Sequence, residues 1–309
     1  MSPRYLLQRL MQTLLTLVCL SAVVFGLARL SGDPVMLMVP QTATADDIAR
    51  IRTSLGIDRP LPEQYWRFIS NAVQGDFGTS IKWGRSAAGI ILERFPATAL
   101  LCATSLLFGL LLALPIGIIS AVRRDSWADN LGKIVALVGQ SMPSFWFGIL
   151  LILAFALYLP LFPTSGYGTL SHLVLPTVTL GGFVAASIMR VTRSSMLDAL
   201  EADYVRTARS KGAPEWRVVL IHALKNAAVP ILTITALQTA TILRGAVVTE
   251  TVFSWPGVGK IAVDAVYSRD FPLVQAAVMF MGMVFLMVNL MSDLLYVRLD
   301  PRIRYGKRR

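Results

Sequence analysis

Residues 97–122 read ATALLCATSLLFGLLLALPIGIISAV, from Ala97 to Val122, without one charged side chain. Crossing about 30 Å of hydrocarbon takes roughly 20 mostly apolar helical residues. This stretch meets that length, and five others do so at residues 10–30, 134–159, 173–189, 227–248 and 272–291. No Asp, Glu or Lys falls near the centre of any of them, as spans in contact with lipid require. They are also too long for barrel strands, which alternate over about 10 residues. The expectation is an all-α polytopic membrane protein with six transmembrane helices.

The remaining composition agrees. Of the 309 residues 55% are hydrophobic and 15% charged, whereas the surface of a soluble domain needs about 25% charged residues. An ordinary cytosolic enzyme is excluded, as are disordered and collagen-like chains. A disulfide framework is excluded too, since the two cysteines, Cys19 and Cys102, both sit inside apolar runs. Pro115, Pro143 and Pro176 lie within or at the edge of spans, which points to a packed bundle whose neighbouring helices satisfy the freed carbonyls. The first run follows Arg4 and Arg9 and resembles a signal peptide, but its apolar length exceeds a signal core, so it reads as an uncleaved first helix.

The net charge of +11 is positional. Of 29 Lys and Arg, 18 fall in the N-terminus, the second connection (Arg123, Arg124, Lys133), the fourth connection and the tail at 298–309. Basic connections stay in the cytoplasm, so both termini are expected inside and nucleic acid is not a partner. The long first connection, 31–96, balances seven basic residues with seven acids and is expected outside. Within it Thr44 and Asp47 read as a helix start and Gly56 as its stop. Pro62 opens a second amphipathic segment, with Tyr65, Trp66, Phe68 and Ile69, that ends near Gly75. This segment reads as an external cap on the bundle, compatible with docking of an external partner.

The connection at 190–226 is the expected cytoplasmic coupling loop. Met196, Leu197, Leu200, Tyr204 and Ala208 share one helical face, Gly212 is a stop, and Pro214 begins another helix. Trp216, Leu220, Ala223 and Ala227 form its apolar stripe. The residues alone allow either a docking lever for a partner or an amphipathic pair lying on the inner leaflet.

Specific motifs add to this reading. Asp203-Tyr-Val-Arg-Thr-Ala-Arg-Ser-Lys-Gly212, followed by His222-Ala-Leu-Lys-Asn226 and Pro230, resembles the cytoplasmic loop of permease subunits in peptide-type ABC importers, the dipeptide, oligopeptide and nickel branch. Ser31-Gly-Asp-Pro34, Leu55-Gly-Ile-Asp-Arg-Pro-Leu61, Gly75-Asp-Phe-Gly78, Ser141-Met-Pro-Ser-Phe-Trp146, Phe253-Ser-Trp-Pro-Gly-Val-Gly259 and Leu299-Asp-Pro-Arg-Ile303 extend the resemblance along the chain, which is similar to the first of the two permease subunits. The importer pattern Glu-Ala-Ala, with Gly after three more residues, aligns on Gly212; only Ala208 and Gly212 match, and Arg206 and Thr207 depart from it.

The resemblance implies one transmembrane permease domain over 1–309 in the bacterial inner membrane. It implies a second homologous permease, two ATPase subunits and an external peptide-binding protein as partners, in a machine that moves di- or oligopeptides or related solutes by alternating access. Tyr204, Arg206, Ala208, Arg209, Lys211 and Gly212 are the residues expected to seat in an ATPase groove. Small Ala208 and Gly212 permit close approach, and the cations set register against carboxylates.

No catalytic residue, cofactor or metal site is expected. Gly257-Val-Gly-Lys260 lacks the first Gly and the final Ser or Thr of a phosphate loop, with Ser254 and Ile261 in those places. It reads instead as a turn between two helical pieces. His172 and His222 have no Cys or carboxylate cluster beside them. The chain therefore reads as a permease and not an enzyme, and a gradient-driven carrier or channel is the alternative. Of the polar residues at or near membrane depth, Gln140, Arg244, Asn289 and Asp293, the first two are candidates for the pathway or a subunit interface, with snorkelling to the outer surface the alternative for Arg244.

Overall fold

The computed structural model describes residues 3–30, isolated positions between 44 and 53, and residues 58–299. The expected helix start at Asp47 and stop at Gly56, the Ser31–Pro34 motif and the tail beyond Leu299 lie outside the described residues. Among those described, the secondary structure is helical apart from one isolated antiparallel bridge between Thr79 and Ser86. The helices are α1 (Pro3–Leu30), α2 (Leu61–Val73), α3 (Ala87–Val122), α4 (Trp127–Ser141), α5 (Ser144–Tyr158), α6 (Leu170–Glu201), α7 (Asp203–Ser210), α8 (Glu215–Val252), α9 (Val258–Tyr267) and α10 (Phe271–Leu299).

Five of them, α1, α3, α6, α8 and α10, are long and apolar enough to cross a membrane. The third expected span, 134–159, is not one rod. It is the pair α4 and α5, bent by 108° across Met142 and Pro143. Proline has no N–H to give the preceding turn and bars its neighbour from helical geometry. Pro143 accordingly takes extended backbone (φ −59°, ψ 134°) and caps α5. Pro176 and Pro230, by contrast, sit inside α6 and α8 without ending them.

The fourth span also differs from the sequence expectation of a short run at 173–189. Helix α6 has 32 residues, and 56% of its apolar window is buried, against 33% or less in the other continuous spans. Its low apolarity has a physical reason: Thr177, Thr179 and Gly181 face protein and are buried.

The chain divides into two compact units. The first comprises Ala99–Trp255 and the chain from Val288 onward. Within it a seam of small residues runs between α3 and α6. Ser105, Gly109, Ala113 and Gly117 recur every fourth residue and share one face of α3. A Cβ on Gly181 would lie 2.6 Å from the Ser105 carbonyl oxygen, and one on Gly117 would lie 2.9 Å from the Met189 carbonyl oxygen. The two backbones therefore meet where no side chain fits, as small residues permit between membrane helices. Helix α8 packs along the same α6, close enough that a Cβ on Gly245 would stand 2.7 Å from Leu180 Cδ1.

The second unit comprises the chain up to Thr98 together with Pro256–Met287. Its core joins Ile90 and Ile91 of α3, Val258, Ile261 and Ala265 of α9, and Leu273, Ala276 and Ala277 of α10. The expected amphipathic segment after Pro62 is α2, which folds back on α1. Tyr65 Oη is 2.9 Å from Ser21 Oγ, and the Tyr65 ring meets Phe25 edge-on at 5.5 Å. The buried Asp270 carboxylate joins two parts of this unit. It accepts hydrogen bonds from Ser80 Oγ and from the Lys82 N–H, and it caps α10 through the Leu273 N–H.

Candidate coupling surface

The connection after α6 is built by three breaks in an otherwise helical path. The first is at Ala202, whose backbone is extended (φ −72°, ψ 150°). The stripe expected to run from Met196 through Tyr204 to Ala208 is therefore not continuous. Met196 stays buried on α6, while α7 starts afresh at Asp203 with its own facing. Val205, fully buried, is the anchor of α7 in place of Tyr204. It sits on a helix that packs against the first turns of α8, where Val218, Val219 and Ala223 are buried.

The second break is at Gly212. The Gly212 N–H donates to the Arg209 carbonyl (2.9 Å) and the Ala213 N–H to the Ala208 carbonyl (3.2 Å). This pair of bonds closes a helix on a residue in the left-handed region, and Gly212 has φ +76°. The third is Pro214, extended (φ −66°, ψ 146°), which caps the helix beginning at Glu215. Arg209 ties across the turn with both arms of its fork: Nε to Glu215 Oε1 at 2.8 Å and Nη2 to Oε2 at 3.3 Å.

The expected residues are thus gathered on one short helix and its closing turn. Tyr204, Arg206, Arg209, Lys211 and Gly212 are exposed, and Ala208 is half-buried. Arg209 already has Glu215, and Arg206 lies 3.6 Å from Asp203. A Cβ on Gly212 would meet nothing within 4 Å. Glycine is favoured there by the backbone angle, and the space beside it is open. Sequence reasoning passed over Val205, Ala202 and Glu215. Of these only Glu215 carries a legible signal, an acid in the first turn after a proline.

The two membrane-depth candidates sit in different settings. Gln140 Nε2 donates to Ser187 Oγ at 3.0 Å, joining the end of α4 to α6. Arg244 lies on the exposed side of α8. Gly257-Val-Gly-Lys260 is the start of α9. Its Val258 N–H donates to Thr98 Oγ1 (2.9 Å) and its Lys260 pairs with Asp264 (2.8 Å). His172 is bonded through Nδ1 to Thr169 Oγ1. Among the described residues no three His, Cys, Asp or Glu are grouped to hold a metal ion.

A helical membrane bundle interrupted by a short, exposed helix–turn–helix connection is the architecture of a transporter's permease component. The family described as "binding-protein-dependent transport system inner membrane component" matches residues 113–305, and the N-terminal part of that family matches residues 2–102. The chain belongs to this family. It is 43% identical over 302 residues to the glutathione transport system permease protein GsiC of Escherichia coli and of Salmonella typhimurium. Those alignments cover 97% of this chain and 99% of each relative.

Two inward-facing structures of the MetNI methionine ABC transporter share the fold. Their TM-scores are 0.56 and 0.54 at 16% identity, over 68% of this chain and 96% of theirs. The protein is a multi-pass inner-membrane permease subunit of an ABC importer. It is not itself an enzyme, since ATP hydrolysis in such importers belongs to a separate subunit. The family implies an ATPase, a solute-binding protein and a second permease as partners.

Proposed function

We propose that this subunit forms half of a pathway for small peptides, with the tripeptide glutathione as the first cargo to test. The observation that carries this reading is a similarity to glutathione permeases that runs the whole length of both chains. In this reading both termini and the 190–226 connection face the cytoplasm, and residues 31–96 form an external cap within a single permease domain. A second homologous permease completes the path, two ATPase subunits supply the energy, and an external binding protein delivers the peptide. Helix α7 and its turn, with Tyr204, Arg206, Ala208, Lys211 and Gly212 outward, seat in the ATPase; Arg209 holds the turn in shape through Glu215. Closure of the ATPase pair pushes α7, and α6 and α8, which flank it in the chain, carry the push into the bundle.

The test is ATP hydrolysis by the complete assembly in lipid, with binding protein and either glutathione or a dipeptide added. Stimulation by glutathione supports the cargo. Stimulation by dipeptide alone keeps the peptide importer and replaces its cargo, whereas uptake without ATP overturns the reading. Gly212→Leu places bulk at the open face of the turn. It is expected to lower peptide uptake by about tenfold or more, the equivalent of ~1.4 kcal/mol in docking, with membrane insertion unchanged.

A further inference from the structure

Upstream of the coupling helix lies a group of charges that the reading above does not use. Asp129, in the first turn of α4, is fully buried. Its carboxylate accepts from Arg193 twice, Nε to Oδ1 at 2.6 Å and Nη2 to Oδ2 at 2.8 Å. Lys133 Nζ stands 2.9 Å from Oδ2, and the Asp125 N–H donates to the same oxygen at 3.0 Å. Four donors leave this carboxylate saturated. Arg193 belongs to α6 and lies about 12 Å along its axis from the end of that helix at Glu201, just before the coupling helix. A second, exposed pair, Arg124 with Glu201 at 3.3 Å, links the same α3–α4 connection to the last residue of α6.

The far end of α4 is tied to α6 as well. Gln140 donates to Ser187, and a Cβ on Gly139 would lie 3.4 Å from Ala186 Cβ. Helix α4 is thus fastened to α6 at its first turn and its last. Nothing in the seating of α6 requires these fastenings, because the glycine seam with α3 and the packing of α8 already place it. A buried ion pair repays its desolvation only in part and is often no more stabilising than apolar side chains of similar size. What two polar ties add to a packed helix is a fixed angle and register.

We propose that Asp129 and Arg193 are a positioning pair that makes α4 move as one body with the lower part of α6. A push on the coupling helix is thereby delivered to the broken span formed by α4 and α5. The inference rests on the coupling role assigned to α7. The pair acts through the helices it joins.

The experiment uses the complete assembly in lipid, scoring co-purification of the ATPase, basal ATP hydrolysis and its stimulation by peptide-loaded binding protein. The informative variant is the double neutral D129N/R193Q, which leaves no uncompensated buried charge. It is expected to assemble and hydrolyse ATP at the basal rate while losing about tenfold or more of the stimulation by peptide-loaded binding protein. Wild-type stimulation in this variant overturns the proposal, because the pair would then serve only to neutralise itself.

If the double variant fails to assemble, Arg193→Lys keeps the charge with one donor in place of the fork. Intermediate stimulation is then expected, and full stimulation overturns the proposal. Gly212→Leu, run beside them, separates the two readings. If it leaves coupling intact, the docking assignment fails. If it uncouples while D129N/R193Q does not, the positioning pair fails alone.

Discussion

The turn after α7 and the turn after α8 close with one hydrogen-bond pattern. In the first, Gly212 N–H reaches Arg209 and Ala213 N–H reaches Ala208; in the second, Ser254 N–H reaches Thr251 and Trp255 N–H reaches Glu250. Each puts its central residue in the left-handed region, at φ +76° for Gly212 and +49° for Ser254. That region costs glycine nothing and other residues about 1–2 kcal/mol. The Ser254 turn bears the cost because its flanks are packed. Phe253 and Trp255 are each 1% exposed, Trp255 meets the Tyr167 ring edge-on at 4.8 Å, and the Phe253 carbonyl accepts from the Gly166 N–H at 3.1 Å. Around Gly212 there is no such wall. A turn walled in by buried aromatic side chains tolerates a strained residue, whereas the Gly212 turn, tied across only by the exposed Arg209–Glu215 pair, favours glycine and leaves its outer face open.

The largest effect is expected at Trp255. Trp255→Ala removes the side chain that walls in the second turn, and truncation of a buried aromatic costs about 3–5 kcal/mol. Thermal unfolding of the purified assembly should fall accordingly. An unchanged midpoint would mean that the packing does not hold the turn. Next is Gly212→Asn set against Gly212→Leu. Asparagine tolerates the left-handed region, so it preserves the turn but still fills the open face. If approach of a partner is what matters, both variants lose peptide-stimulated ATP hydrolysis and differ only in stability. If Asn restores coupling, the backbone angle alone was the requirement. The smallest effect belongs to Ser254→Gly. Relief of the strain is opposed by the greater freedom of glycine in the unfolded chain, about 0.4–1 kcal/mol. The net shift should stay within about 0.5 kcal/mol, and a large loss would show that the Ser254 side chain does more than fill its place.

The two turns also mark what the sequence could disclose. Gly212 with Pro214 two residues later is a local signal, and the end of α7 follows from it. The six apolar runs were equally legible because length and absence of charge decide them. Three features were not. Pro143 breaks its span while Pro176, which is buried, and Pro230, which is exposed, do not, and nothing in the residue type separates the three. Helix α6 looked like the weakest span because Thr177, Thr179 and Gly181 dilute its apolarity; those residues mark a helix enclosed by protein, which composition does not distinguish from a marginal one. The break at Ala202 has no sequence signal, since alanine is the best helix former, so Tyr204 was assigned to a face that in fact ends at α6. At the candidate coupling surface the residues were picked out by the resemblance of the Asp203–Gly212 motif, since type and spacing alone left a lever and a leaflet-bound pair equally open. The intramolecular pairing of Arg209 with Glu215 was not, because it depends on how the turn closes.

The seam between α3 and α6 also imposes an order on the birth of the protein. Helices made one after another enter the bilayer singly and associate afterwards, with packing as the driving force. Helix α3 is synthesised before α4, α5 and α6, so its row of Ser105, Gly109, Ala113 and Gly117 spends that interval against acyl chains. The row presents neither charge nor bulk and can wait there. When α6 arrives, Gly181 and Thr192 meet a surface that has nothing to rearrange, and lipid is the only thing displaced. This step of assembly is then the docking of a finished helix into a groove prepared three helices earlier.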